Sequence, residues 1–229
     1  MQLKILSWNI WIDGHFKEIT EFLRQADADI IGLQEVKDDD PGRDIIGFMS
    51  GLGYGHIFVP VRKGTAGKIK SDGPAIFSKF PIHESKIFNL SDIYNRAAIQ
   101  TDIEVGKTIL HVFCTHLLHT HQQWSEVQDM QADNLLKVLP KGKTIVIGDF
   151  NATPESTVIR KMKAVLVDTD SASLPSWSVY PEGCSTCKPQ KIDMRLDYIF
   201  VSRDVKYNSF EVGNSKGSDH LPVSVIIEI

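Results

Sequence analysis

Thr144-Ile145-Val146-Ile147-Gly148-Asp149-Phe150-Asn151 is the stretch on which the reading of this chain turns. Thr144 to Gly148 (TIVIG) is short, apolar and β-branched, the pattern of a buried strand. A carboxylate and a carboxamide, Asp149 and Asn151, follow it directly. The same arrangement recurs outward in both directions. Leu3 to Trp8 (LKILSW) reads as a buried strand and is followed by Asn9; Asp29 to Gln34 (DIIGLQ) is a second, followed by Glu35. Thr108 to Thr115 leads to His116, Asp197 lies in the strand Leu196 to Val201, and Asp219-His220 precedes the strand Leu221 to Ile229.

Between these strands the apolar spacing changes. Phe16, Ile19, Leu23 and Ala26 predict an amphipathic helix over about 15–26, and Pro41 opens a helix carrying Ile45, Met49 and Leu52. Trp124, Val127, Leu135, Val138 and Leu139 predict a helix from about Gln122 to Leu139, and a short one is expected from Glu155 to Met162. Ile57 to Val61, Pro74 to Ser78, Ile82 to Asn89, Ala97 to Val105 and Val205 to Glu211 read as further strands. A turn at Glu104 to Lys107, with Gly106, makes a hairpin of Ala97 to Val105 and Thr108 to Thr115. Residues 168–195 read as a long loop. Strands with interspersed helices imply a layered α/β or α+β domain with two sheets.

The chain has 229 residues, 42% hydrophobic and 24% charged, with a net charge of −4. Collagenous, coiled-coil and largely disordered classes are excluded. The acidic balance disfavours a generic polyanion binder, although a local basic groove stays open. No linker or repeat divides the chain, so one domain over 1–229 is expected. No apolar run reaches the ~20 residues of a membrane span. Met1-Gln2-Leu3-Lys4 leads straight into a strand without a signal-peptide pattern, which predicts a cytoplasmic protein.

Parallel strands end at one sheet edge, and an antiparallel neighbour begins there. One edge can therefore gather Asn9, Glu35, His116, Asp149, Asn151, Asp197, Asp219 and His220. Hard oxygen donors of this kind suit Mg²⁺ or Mn²⁺, and the carboxylates and imidazoles can move protons. Each residue alone has an ordinary explanation: a solvated loop carboxylate, an Asx turn, a satisfied strand Asp. Their coincidence at strand ends argues for a site.

Ser7-Trp8-Asn9, Leu33-Gln34-Glu35-Val36, Thr115-His116-Leu117, Gly148-Asp149-Phe150-Asn151, Leu196-Asp197-Tyr198-Ile199 and Ser218-Asp219-His220-Leu221-Pro222 together resemble the ordered signature of the endonuclease/exonuclease/phosphatase superfamily. Asp72-Gly73-Pro74-Ala75-Ile76-Phe77-Ser78-Lys79-Phe80-Pro81-Ile82 resembles a segment common in its bacterial members. The likeness runs from residue 5 to residue 223. It implies a four-layer α/β sandwich of two facing mixed β-sheets flanked by helices, and metal-dependent hydrolysis of a phosphoester by in-line water attack. On this resemblance Glu35, helped by Asn9, and Asp219 hold Mg²⁺ or Mn²⁺. Asp149 orients and deprotonates the water, and Asn151, two residues on, points to the same side. His220 donates to the transition state with Asp197 fixing its tautomer. His116 and Arg96 contact phosphate, and Asp72, where many relatives have Glu, partners His116.

His116 stands where abasic-site endonucleases usually carry tyrosine, so the chain looks more like the deoxyribonuclease, tyrosyl-DNA phosphodiesterase, sphingomyelinase, deadenylase and inositol-phosphatase branches. A DNA or RNA phosphodiester is the leading substrate expectation, with a sphingomyelin-type lipid or a small phosphomonoester as alternatives. A non-catalytic phosphate-binding module ranks below all of these. Two basic loops, Arg62, Lys63, Lys68 and Lys70, then Lys188, Lys191 and Arg195, either line a phosphate groove or serve solubility. Trp177 and Tyr180 either stack on a base or pack under a loop.

Three signals are set aside. Cys184-Ser185-Thr186-Cys187 is a lone CxxC pair, and with Cys114 it reads as reduced thiols. His119 and His121 are expected to begin the following helix, not to bind zinc with His116. Gly64-Thr65-Ala66-Gly67-Lys68 lacks the spacing of a P-loop.

Overall fold

The computed structural model describes residues 1–63, 70–93 and 95–229. Its strands are β1 (Gln2–Asn9), β2 (Ile30–Lys37), β3 (Gly55–Phe58), β4 (Val61–Lys63), β5 (Lys70–Ser78), β6 (Ile82–Ser91), β7 (Arg96–Val105), β8 (Thr108–His116), β9 (Thr144–Asp149), β10 (Val167–Asp168), β11 (Asp197–Val201), β12 (Lys206–Val212) and β13 (Val223–Glu228). The helices are α1 (Phe16–Ala26), α2 (Ile45–Gly51), α3 (Glu126–Lys137) and α4 (Thr157–Val165).

The strands form two sheets. One is ordered β12-β13-β1-β2-β5-β3, with β4 also pairing β5; the other is ordered β10-β11-β9-β8-β7-β6. Both are mixed: β1 runs parallel to β2 and β8 parallel to β9, and the other pairs are antiparallel. The strands read as near-continuous apolar runs, β1 and β9, lie at the centre, buried on both faces. Three apolar clusters make the layers. Leu3, Ile5, Ile99, Val112, Ile145 and Ile147 pack between the sheets. Leu6, Trp8, Ile19, Leu23, Ile45 and Met49 join the first sheet to α1 and α2, and Phe113, Val146, Ala132, Leu135, Ile159 and Met162 join the second sheet to α3 and α4. This is the four-layer sandwich expected. At Gly32 the sheets approach so closely that a β-carbon would lie 2.2 Å from Ile147 Cδ1.

Several boundaries differ from the sequence reading. β2 does not stop at Gln34 but continues to Lys37, so Glu35 lies inside the strand. Pro41 starts a single 3₁₀ turn, and α2 begins at Ile45 after Asp44, whose Oδ1 accepts from Gly47 N at 2.7 Å. α3 begins at Glu126 behind a Ser125 cap, not at Gln122, which leaves His119 and His121 in the preceding loop. Trp124 is 72% exposed, and the buried face of α3 is Gln128, Gln131, Ala132 and Leu135. Hydrogen bonding explains the two buried amides. Gln128 Nε2 donates to the carbonyls of Leu118, Phe150 and Asn151 at 2.8–3.1 Å, and Gln131 Oε1 accepts from Leu118 N at 2.9 Å. α3 thus clamps the loops that follow β8 and β9. No helix among the described residues is long and apolar enough to cross a membrane.

Candidate active site

The site is assembled by strand register. In the second sheet His116 pairs with Asp149 across the parallel β8/β9 ladder, and Asp197 pairs with Asp149 across β11/β9. In the first sheet Ser7 pairs with Val223, so the end of β1 at Asn9 lies beside the chain entering β13, which carries Asp219 and His220. The two sheet edges meet at Asn9. Its side chain is buried, and its Nδ2 donates to Glu35 Oε1 at 3.1 Å and to Asp149 Oδ2 at 3.0 Å. Its Oδ1 accepts from Trp11 N at 2.9 Å.

Glu35 reaches this point through a bulge. The β2/β5 register shifts between Leu33 and Val36, and Glu35 adopts φ 61°. A bulge re-aims one side chain out of the pleat, and a left-handed backbone at a residue other than glycine marks local strain. Glu35 Oε2 accepts from Ile12 N at 2.6 Å. The loop supplying that N–H is braced by Arg43, whose buried guanidinium donates to the carbonyls of Ile10, Trp11 and Ile12.

Asp149 is the hub. Its Oδ1 accepts from Asn151 N at 2.8 Å, and its Oδ2 accepts from Asn151 Nδ2 at 3.2 Å as well as from Asn9. His116 Nε2 and His220 Nε2 stand 3.4 and 3.7 Å from Oδ2. His220 Nδ1 lies 2.8 Å from Asp197 Oδ2, which also accepts from Ser176 Oγ at 2.6 Å. Asp197 is wholly buried, and its Oδ1 has no hydrogen-bond partner among the described residues. Asp219 Oδ2 accepts from Trp177 Nε1 at 3.0 Å.

Burial raises the pKa of Glu35, and the neighbouring Asp219 raises it further. Burial also raises that of Asp149, against the pull of His220. For His220 burial favours the neutral ring, but Asp197, Asp149 and Asp219 outweigh it and hold its pKa well above the ordinary value. The surrounding carboxylates thus favour the protonated His220 ring, and Asp219 works against the charged form of Glu35. Such crowding is what a divalent cation relieves, and the carboxylate oxygens of Glu35 and Asp219 suit a hard ion; Asp149, Asp197 and His220 also bring donor atoms together here.

The side chains line a cleft of about 420 Å³ that includes Asp72, Arg96 and His116. Burial lowers the pKa of Arg96, while Glu35, Asp149 and Asp72 act in the opposite sense. Its Nε is buried without a hydrogen-bond partner among the described residues. Asn9, Glu35, Asp72, Arg96, His116, Asp149, Asn151, Asp219 and His220 all line this cleft, with Asp197 behind His220 instead of on its surface.

The family model for the endonuclease/exonuclease/phosphatase family matches residues 6–220. The chain belongs to that family. Among solved structures, an endonuclease/exonuclease/phosphatase from Beutenbergia cavernae superimposes with a TM-score of 0.81 at 20% identity, covering 100% of this chain and 72% of the other. The human Nocturnin catalytic domain, with bound sulfate anion, does so with a TM-score of 0.74 at 24% identity, covering 99% and 94%. A mannosyl-6-phosphatase of Bacteroides thetaiotaomicron does so with a TM-score of 0.73 at 19% identity, covering 99% and 100%. No match is found among the curated proteins. At these identities the likeness to solved structures shows the shared fold.

Members of the endonuclease/exonuclease/phosphatase family are phosphoester hydrolases, generally dependent on a divalent metal. Within that frame, the structure adds supporting residues that sequence reasoning missed. Arg43 had no motif to mark it. Trp177, considered for base stacking, is 1% exposed and spends its N–H on Asp219. Tyr180 stacks on Trp11 at 5.7 Å and donates its hydroxyl to Lys216 O. Arg195, considered for a phosphate groove, is buried, pairs with Asp168 at 2.6 Å and covers the Tyr198 ring. Lys188 and Lys191 remain exposed. Lys68 and the Gly64 to Lys68 stretch lie outside the described residues, and Arg62, Lys63 and Lys70 are described in backbone only.

Proposed function

We propose that this protein hydrolyses a phosphoester by in-line attack of water, using Mg²⁺ or Mn²⁺. The observation that carries the reading is the Asp197–His220–Asp149 array beside the Asn9-linked Glu35. Glu35 and Asp219 would hold the ion, and Asn9, whose amide nitrogen faces Glu35, orients that carboxylate through a hydrogen bond. When bound, the ion supplies positive charge that offsets the phosphoryl oxygens and the leaving group.

Asp149 accepts the proton of the attacking water. Its raised pKa brings a carboxylate toward the range where a base works near neutral pH. Asn151, held to Asp149, fixes the direction of that carboxylate. His220, protonated at Nε2 and oriented through Nδ1 by Asp197, donates to a phosphoryl oxygen as charge builds there. A well-aimed donor of this kind contributes about 3 kcal/mol to the transition state. His116 and Arg96 add positive or donor character on the same side, and Asp72 closes the cleft near them.

A nucleic acid or similar phosphodiester is the first substrate class, since three of the five branches that His116 fits act on nucleic acid. A second reading, a small phosphomonoester, is supported by a specific observation: Trp177 and Arg195 are buried, so neither offers a stacking face or a phosphate contact to a polymer. The mannosyl-6-phosphatase among the structural neighbours accords with it. A panel of DNA, RNA, 2′,3′-cyclic nucleotides, sphingomyelin, inositol phosphates and sugar phosphates, run with Mg²⁺ and Mn²⁺, tests both. Turnover of one class that requires metal and is lost in Asp149→Asn supports the mechanism and selects the substrate. Turnover that persists in Asp149→Asn refutes it.

A further inference from the structure

On one wall of the cleft, which His119, His121 and Cys184 help to line, these three residues and Cys187 bring one donor atom each within 4.8 Å of all the others. None belongs to the array described above, and the two pairs are separated by more than sixty residues of sequence. His119 Nε2 and His121 Nδ1 are 3.0 Å apart. Cys184 Sγ lies 3.7 Å from His119 Nε2 and 3.4 Å from His121 Nδ1; Cys187 Sγ lies 3.7 and 3.3 Å from the same two atoms. A tetrahedral ion with bonds of about 2.3 Å to sulfur and about 2.05 Å to nitrogen requires N···S edges of about 3.6 Å and an N···N edge of about 3.3 Å. The observed edges fit around such an ion with shifts of a few tenths of an ångström.

The surroundings also suit ligands. His119 Nδ1 is 2.6 Å from Asn151 Oδ1, and Asn151 turns its amide nitrogen to Leu117 O and Asp149, so its oxygen accepts the Nδ1 proton. That bond fixes the tautomer in which Nε2 carries the free lone pair, the usual support of a metal-bound histidine. Cys187 N donates to Cys184 Sγ at 3.0 Å, which stabilises a thiolate there. Left-handed backbone at His121 and Gln122 (φ 52° and 59°) turns the His121 ring back onto His119. Both cysteines are free thiols.

We propose that these residues form a Cys₂His₂ site for zinc, distinct from the hard-oxygen site of the cleft. Two imidazoles and two thiolates select a borderline-soft tetrahedral ion over Mg²⁺ or Mn²⁺. Binding exchanges the two thiol protons for one Zn²⁺, leaving the cluster electrically neutral. The ion would clamp the loop after β8 to the loop after Trp177, the two segments that carry the contacts to Asn151 and to Asp219. The lone CxxC and the His-x-His pair, each set aside in the sequence, become one site because the fold brings them together.

The test uses the full chain, purified without chelator and dialysed against excess Mg²⁺. Elemental analysis is expected to find about one zinc per chain, released by a thiol-specific mercurial. Co²⁺ in its place is expected to give thiolate-to-cobalt charge transfer and tetrahedral visible bands. Cys184→Ser combined with Cys187→Ser should lose both the zinc and the charge transfer. If that variant does not fold, His121→Ala at the exposed ligand keeps the experiment decisive, with zinc affinity expected to fall at least about tenfold. Glu35→Gln should retain the zinc. Zinc displaced by Mg²⁺ or lost in Glu35→Gln, a Co²⁺ spectrum without thiolate bands, or a Cys184–Cys187 disulfide in the freshly purified protein would each overturn the proposal.

Discussion

Gly183 lies so close to Asp219 that a β-carbon on it would stand 2.3 Å from Asp219 Oδ2 and 2.9 Å from Asp219 Cβ. The segment that follows Trp177 is therefore pressed against one of the carboxylates proposed to hold the catalytic ion. Gly183→Ala should displace either the segment or the carboxylate while leaving the sheets intact. Activity is expected to fall on the order of 10²-fold, the cost of an ångström-scale misplacement, with little change in Tm. Steady-state kinetics against Mg²⁺ concentration, with thermal melting as the control, checks it; wild-type kinetics in Gly183→Ala would mean that this contact does not position Asp219.

Asp197 is the single carboxylate partner of His220 Nδ1, and it is wholly buried. Asparagine in its place offers an amide N–H where the ring needs an acceptor, so the imidazole takes the wrong tautomer. By analogy with other buried carboxylate–histidine pairs, Asp197→Asn should lower kcat by about 10³–10⁴-fold and alter KM far less. Without the carboxylate, His220 loses its proton at lower pH, so the alkaline limb of the pH–rate profile should move toward acid. A full profile of both proteins measures this directly.

The metal-free protein should lose stability as pH rises. Glu35 and Asp149 have raised pKa values in the folded state, so above the ordinary carboxylate range the folded chain binds more protons than the unfolded one. His220 adds the same sign: its contribution is complete below the unfolded pKa of about 6.5 and is lost as pH rises through its elevated folded value. A cation competes with those protons. The rise in Tm on adding a fixed concentration of Mn²⁺ should therefore be larger near about pH 8 than near about pH 6. Calorimetry at both pH values, with Glu35→Gln as the control, decides it; an increment independent of pH would show that neither carboxylate is linked to metal binding.

Arg43 donates to three consecutive carbonyls, at Ile10, Trp11 and Ile12, and the same loop supplies the Ile12 N–H to Glu35. Arg43→Leu leaves those acceptors without a donor in a buried setting. The expected loss is about 3 kcal/mol of stability, together with weaker metal binding. Arg43→Lys, which restores charge but not the fork, should recover only part of it. Chemical denaturation of the two variants gives the comparison.

Much of the architecture was legible because its signals are local. TIVIG is buried on both faces, as a continuous apolar β-branched run should be, LKILSW is buried except at half-buried Lys4, and the residues that follow them, Asp149 and Asn9, hydrogen-bond across the two sheets. α3 begins later than its apolar spacing predicts for an equally local reason. Trp124 continues the apolar spacing, but Ser125 is the better cap, and the aromatic ring lies on the surface. Buried Gln128 and Gln131 contradict an apolar stripe because the loops after β8 and β9 need donors and acceptors there.

The sequence by itself determined which chemical groups stand at or near strand ends, since strand period is encoded over a few residues, although Glu35 proves to lie inside β2. It therefore carried the carboxylates, amides and imidazoles of the cleft and the order in which they occur. Only the tertiary structure decided the rest. The bulge that swings Glu35 toward Asn9 depends on how β2 pairs with β5. The burial of Trp177 and Arg195 depends on where a long loop settles, and the approach of Cys184 and Cys187 to His119 and His121 depends on closing more than sixty residues of chain between them. No periodicity spans such a distance; contacts of that range form because the packed sheets leave the loops one place to meet.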